Sequence, residues 1–135
     1  MNVIEIKNLN KSYRKQHVLK DFSLTIANNE FVAITGESGS GKSTLLNIIG
    51  MLEGYDSGEL SLFGHKAPSP FSRRAQNLIR TKVGFVFQNF ALLEDRSVYN
   101  NLKISVPFIQ RNGIKEKIAH ALDTVGLKDF EKERP

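Results

Sequence analysis

Gly36-Glu37-Ser38-Gly39-Ser40-Gly41-Lys42-Ser43 reads G-x-x-x-x-G-K-S, the spacing of a phosphate-binding loop. An apolar run, Phe31-Val32-Ala33-Ile34, stands before it. A helical pattern, Leu45, Leu46, Ile48 and Ile49, follows it. Strand, glycine-rich loop and helix form the context in which such a string becomes a site. Gly36, Gly39 and Gly41 permit positive φ and a close approach of backbone to a ligand. The successive N–H groups are then expected to point into one concavity that suits phosphate oxygens. The helix expected from about Lys42 turns its positive end to the same anion. Lys42 is expected to reach the β- and γ-phosphates, and the Ser43 hydroxyl to meet Mg²⁺.

The 135 residues suffice for one domain with a core. Hydrophobic residues make up 40% and charged residues 24%, the balance of a water-soluble globular chain. The formal charge of +5 comes from scattered Lys and Arg, which suits a solvated surface and not a nucleic-acid stripe. The lack of cysteine excludes disulfides and cysteine metal sites. Met1-Asn2-Val3-Ile4-Glu5 lacks the basic and apolar regions of a signal peptide. No stretch reaches the roughly 18 apolar residues of a membrane span. These features predict a cytoplasmic chain, so any membrane role requires a partner that crosses the bilayer.

Val3, Ile4 and Ile6 alternate as a half-buried strand, and Asn8 to Lys11 reads as a polar turn. Phe22-Ser23-Leu24-Thr25-Ile26 alternates clearly as a second strand, and Asn28-Asn29 suits a tight turn. The two strands predict a small antiparallel layer. The continuous run Phe31–Ile34 predicts a buried strand of a mainly parallel sheet. Leu45, Leu46, Ile48, Ile49 and Leu52 mark a buried helix ending near Gly50 and Gly54. Glu59 to Phe63 predicts a short strand stopped by Gly64, and Ser72 to Thr81 an exposed helix. Lys82-Val83-Gly84-Phe85-Val86-Phe87-Gln88 predicts a strand ending on a polar residue. Ser97 suits a cap for a helix over Val98 and Leu102, which Pro107 should kink or break. Ile114, Ile118, Leu122 and Val125 form a helical stripe, with Gly126-Leu127 as its stop.

Taken together, these motifs resemble the nucleotide-binding domain of an ABC transporter over nearly the whole chain. The stretches Ser38 to Gly50 and Gly84 to Phe90 are worded most like the lipoprotein-release, macrolide-export and bacteriocin-export branch. The branch usually has an acidic residue where Asn100 stands. The resemblance implies an α/β fold: a P-loop NTPase core, an N-terminal antiparallel β layer and the start of the helical subdomain. It divides the chain into residues 1–30, the β layer, 31–96, the core through the Q-loop, and 97–135, the first part of the helical subdomain. Tyr13 stands at the A-loop position, where an aromatic ring stacks on adenine. Gln88 stands at the Q-loop position, where a glutamine amide reaches Mg²⁺ and the attacking water. The cofactor-binding set is then Tyr13 with Gly36 through Thr44. Lys42 and Gln88 act in catalysis, and Ser43 and Gln88 hold the metal. ATP and Mg²⁺ are the implied cofactors. A transmembrane permease and a second ATPase subunit are the implied partners, holding the chain on the inner face of the cell membrane.

The family's L-S-G-G-Q signature, its Walker B strand ending in Asp-Glu and its switch histidine do not occur in these residues. Phe90-Ala91-Leu92-Leu93-Glu94-Asp95 has acids in the reverse order and reads as loop. His17, His65 and His120 stand in contexts unlike the switch. The expectation is therefore the first half or so of a domain, binding ATP weakly without measurable turnover, since a general base and a second metal contact are missing. Alternatives are another P-loop NTPase, opposed by the lack of N-K-x-D; a docking module without turnover; and a soluble ABC ATPase acting on DNA or ribosomes.

Overall fold

The computed structural model describes residues 1–87, 91–106 and 111–135. It divides into two compact units, Met1–Phe85 and Val86–Pro135.

The first unit is built on a β-hairpin, β1 (Asn2–Tyr13) and β2 (Gln16–Ala27). Ile4 pairs with Ile26, Ile6 with Leu24 and Leu9 with Phe22. The polar stretch from Asn8, expected as a turn, lies inside β1 instead. There Asn8 takes φ 47° and the register shifts between Ile6 and Leu9, as in a bulge. Side chains satisfy the disturbed ladder. The Asn8 N–H donates to Ser23 Oγ at 2.9 Å, and the Asp21 N–H donates to Asn10 Oδ1 at 3.0 Å. The turn at Asn28-Asn29 forms as expected, with Asn29 at φ 61°.

On its other edge β1 pairs with β3 (Ser57–Leu62), Ile4 facing Leu62 and Ile6 facing Leu60. Phe63 and Gly64, at φ 53° and 78°, turn the chain into β4 (His65–Lys66), which is too short for any alternation to announce. The sheet runs β2-β1-β3-β4, antiparallel throughout.

One face of this sheet contributes Ile6, Leu9, Leu19, Leu60 and Leu62 to the core. α1 (Lys42–Ile49) lays Leu45 and Ile48 on it, followed by Met51, and α2 (Arg73–Thr81) adds Ala75. Burial of each large aliphatic side chain contributes about 1.5–3 kcal/mol. α1 stops at Gly50, where a Cβ would lie 1.7 Å from Phe85 Cζ; only glycine lets that ring pack there. α2 is the helix expected from Ser72 onward, and the Ser72 hydroxyl accepts the Ala75 N–H at 3.2 Å.

Two expected strands are not formed. Phe31–Ile34 and the described part of Lys82–Gln88 carry no strand structure. Phe31 is 94% exposed and Val86 fully so. The physical reason is pairing. A continuous apolar run becomes a central strand only when ladder neighbours cover both of its edges and helices both of its faces. Among the described residues the only sheet is the antiparallel one above, and it takes up neither run.

The second unit holds α3 (Val98–Ser105) and α4 (Ile114–Thr124). Ser97 caps α3 as expected, accepting the Asn100 N–H at 3.3 Å. Asn101 pins the preceding loop: its Oδ1 accepts the Leu93 N–H at 2.8 Å, and its Nδ2 donates to the Leu93 carbonyl at 3.0 Å. Ile118 and Leu122 are the buried stripe of α4. Gly126, at φ 76°, ends the helix, and the Leu127 N–H returns to the Leu122 carbonyl at 2.8 Å. The charged tail folds back, Glu133 and Glu131 carbonyls accepting the Val98 and Tyr99 N–H groups. Pro107 and its expected kink lie outside the described residues.

Candidate functional site

The loop Gly36–Gly41 is exposed apart from Gly41 and leads directly into α1. Gly36, Gly39 and Gly41 all take positive φ, at 150°, 82° and 91°. At Gly36 a Cβ would meet Ser40 Oγ at 2.9 Å, so the absent side chain is what lets the loop curl. The Ser40 N–H donates to the Glu37 carbonyl at 3.2 Å and closes the turn. The first helical bond runs from the Leu45 N–H to the Gly41 carbonyl at 2.8 Å. The amides of Lys42, Ser43 and Thr44 therefore precede the helical ladder and emerge at its N-terminal end. No side chain caps that end and no acid stands in the first turn, so its partial positive charge is uncompensated.

Lys42 bends back over the loop. Its Nζ donates to the Gly36 carbonyl at 2.8 Å, to the Glu37 carbonyl at 2.6 Å and to Ser40 Oγ at 3.4 Å. All three ammonium donors are used on neutral acceptors. Among the described residues no carboxylate pairs with Lys42. The N-terminal amides of α1 and an unneutralised ammonium beside them together fit an anion such as a phosphate chain, although the Ser40 amide is spent on the Glu37 carbonyl. Ser43 is exposed beside them and can offer a hydroxyl oxygen to a metal. Among the described residues no three His, Asp or Glu side chains gather as a metal cage.

Tyr13 ends β1 and is brought to the same helix, its hydroxyl 3.5 Å from Thr44 Oγ1. Two residues around it were not foreseen. The Tyr13 hydroxyl donates to Glu53 Oε1, Lys11 Nζ lies 3.1 Å from the same oxygen, and that ammonium stands 4.9 Å over the Tyr13 ring centroid. Burial alone would raise the Glu53 carboxyl. Hydrogen bonds from Tyr13, Lys11 and Asn47 and the Lys11 charge outweigh that and hold it below the usual carboxylate value. Lys11 shares a strand face with Tyr13 by the two-residue period, which was a readable signal. Glu53 lies beyond the end of α1, and nothing local linked it to Tyr13.

Gln88 lies outside the described residues. Glu94 and Asp95 stand in a loop, as expected, with Asp95 paired to Arg96 at 3.4 Å. A cavity of about 630 Å³ belongs to the second unit and is lined by Ser97, Tyr99, Lys115 and Glu116 among others, none of them in the glycine loop. The glycine loop is exposed, so chemistry and not volume identifies it. No described helix is long and apolar enough to cross a membrane.

Comparison with known proteins bears on this geometry. The methionine import ATP-binding protein MetN of Clostridioides difficile is 36% identical over 135 residues, spanning 98% of this chain and 42% of that protein. The macrolide export ATP-binding/permease protein MacB of Mannheimia succiniciproducens is 38% identical and matches 100% of this chain, but 22% of its own length. The chain thus spans less than half of these relatives. Among solved structures, the dimeric post-hydrolysis state of the ATP-binding cassette MJ0796 bound to ADP and Pi superposes with a TM-score of 0.85 at 32% identity. That match covers 98% of this chain and 61% of the cassette. A family profile described as ABC transporter matches residues 19–135. With that match, and with the P-loop cassette fold shared with the solved cassette, the chain belongs to the ABC transporter family.

Proposed function

We propose that the chain forms the nucleotide-gripping part of an ATP-binding subunit that couples ATP binding and hydrolysis to transport through a membrane permease. The observation that carries this is Lys42, an ammonium held at the centre of a glycine loop by neutral acceptors, in front of an uncapped helix. In this reading the loop amides and the α1 N-terminus bind the phosphate oxygens of ATP, and Lys42 swings from its carbonyls to the β- and γ-phosphates. Ser43, and Gln88 by the family resemblance, are the residues that would hold Mg²⁺, which supplies charge neutralisation when bound. The exposed Tyr13 ring offers a stacking face to adenine. Residues 1–30 serve as the base-side β layer, 31–96 as the phosphate core through the Q-loop, and 97–135 as the first part of a helical subdomain facing the permease.

Hydrolysis requires a group that activates water and a second ATPase subunit closing over the nucleotide. Neither motif for these lies in the 135 residues. The permease places the subunit on the cytoplasmic membrane face and selects the cargo. The relatives named above are a methionine import ATP-binding protein and a macrolide export ATP-binding/permease protein, and the wording of Ser38 to Gly50 and Gly84 to Phe90 supports the lipoprotein-release, macrolide-export and bacteriocin-export branch as the narrower reading. Calorimetric titration with ATP and Mg²⁺ tests the proposal. Weak saturable binding to the wild type, lost in Lys42→Ala, is the expected outcome, with no steady phosphate release from either. Binding indifferent to Lys42→Ala sinks it. A docking module without turnover is the second reading. It predicts copurification with a membrane protein that survives Lys42→Ala.

A further inference from the structure

We infer that Glu53 and Lys11 are positioning residues that lock the Tyr13 ring, so that one face is covered by the Lys11 ammonium and the other is presented to a purine base. The inference rests on the nucleotide reading above. Its own observations are independent of the phosphate loop. Glu53 Oε1 takes two donors at once, the Tyr13 hydroxyl and Lys11 Nζ, the latter at 3.1 Å. Lys11 in turn stands 4.9 Å over the ring centroid. The three groups close a triangle: the carboxylate fixes the tip of the ring and the cation that lies on its face.

This is not a loose surface pair. The Lys11 and Glu53 side chains are 14% and 22% exposed, whereas Tyr13 is 44% exposed. The pair is sheltered and the ring is the part left open. A second contact, Thr44 Oγ1 at 3.5 Å from the Tyr13 hydroxyl, ties the ring tip to α1, the helix that begins at Lys42. The base platform and the phosphate grip are thereby held at a set spacing. An aromatic side chain that rotates freely must be immobilised on binding, and pre-anchoring removes that cost. The arrangement also explains a tyrosine in place of phenylalanine: stacking needs only the ring, but the anchor needs the hydroxyl.

The test measures equilibrium binding of ATP and of inorganic tripolyphosphate, which has no base, to the full chain. Wild type, Glu53→Ala, Tyr13→Phe, the double variant and Lys42→Ala are compared. Glu53→Ala and Tyr13→Phe are each expected to weaken ATP about five-fold, the effect of one anchoring hydrogen bond. Both should leave tripolyphosphate within about two-fold, and the double variant should be no worse for ATP than either single change. Additive losses, equal loss of tripolyphosphate, or no loss of ATP overturns the inference. Indifference of both ligands to Lys42→Ala, or no binding by the wild type, refutes the nucleotide reading instead. In that case ligand-free NMR decides the geometry. A nuclear Overhauser contact between the Lys11 ε-methylene and the Tyr13 ring, lost in Glu53→Ala, supports the lock. Absence of that contact in the wild type, or its persistence in the variant, overturns it.

Discussion

Alanine at Gly41 and at Gly39 should have very different consequences, although both glycines lie in one loop and both have positive φ. Gly41 is at φ 91° and Gly39 at φ 82°, so each substitution incurs the left-handed strain of an L residue, about 1–2 kcal/mol. Alanine also stiffens the unfolded chain, which returns about 0.4–1 kcal/mol at either site. The difference is space. A Cβ at Gly39 would meet nothing within 4 Å. A Cβ at Gly41 would lie 2.8 Å from Val18 Cγ1, 3.0 Å from the Val18 carbonyl oxygen and 3.3 Å from Leu19 Cδ2. Leu19 belongs to the core at 6% exposure, so it has little room to yield. Overpacking of that kind costs about 1–3 kcal/mol more. Gly39→Ala should therefore cost about 1 kcal/mol and Gly41→Ala about 2–4 kcal/mol. For a chain of this size these become Tm losses of about 4 °C and about 8–15 °C. Circular dichroism melts at 222 nm read both. Hydrogen exchange at the Leu45 amide, whose bond to the Gly41 carbonyl is 2.8 Å, reads the same change at the site. A Gly39→Ala loss equal to or larger than that of Gly41→Ala would refute the reasoning.

Three further outcomes are expected. Gly58, at φ 100°, would place a Cβ 2.4 Å from the Asn8 carbonyl oxygen and 2.6 Å from Leu9 Cα, all backbone of β1; Gly58→Ala should exceed Gly41→Ala in a urea titration, and a smaller shift counts against the β1–β3 register. Ser72→Ala and Ser97→Ala each remove a cap oxygen and should cost about 1 kcal/mol, read by urea unfolding, whereas Ser38→Ala on the exposed loop should fall within about 0.5 kcal/mol. Glu53 supplies a pH signature: its folded carboxyl is held below the usual value, so its stabilisation is complete above the unfolded carboxylate range and fades as pH falls through the folded value. The Tm gap between wild type and Glu53→Gln should be flat above about pH 5 and narrow below about pH 4.5; a gap that widens in acid contradicts the assignment.

What could be read without coordinates was local. The spacing from Gly36 to Ser43, the α1 stripe, the turn at Asn29, the cap at Ser97 and the stop at Gly126 each depend on a few neighbouring residues and their own dihedral preferences. Hence the glycine loop and the helix that follows it were legible as a local pattern, whereas the turn of Lys42 back onto the Gly36 and Glu37 carbonyls was not. Strand formation is different, because a strand exists only through its partners. Phe31–Ile34 has the composition of a buried strand and lies outside the sheet, whereas Asn8–Lys11 has the composition of a turn and lies within it. Pairing with β2 and β3 and the Asn10–Asp21 and Asn8–Ser23 bonds decided the second case. The base half of the site joins Lys11 and Tyr13 to Glu53, 40 residues beyond Tyr13. No period or motif spans that distance; only the packing of α1 against the hairpin brings the carboxylate to the ring.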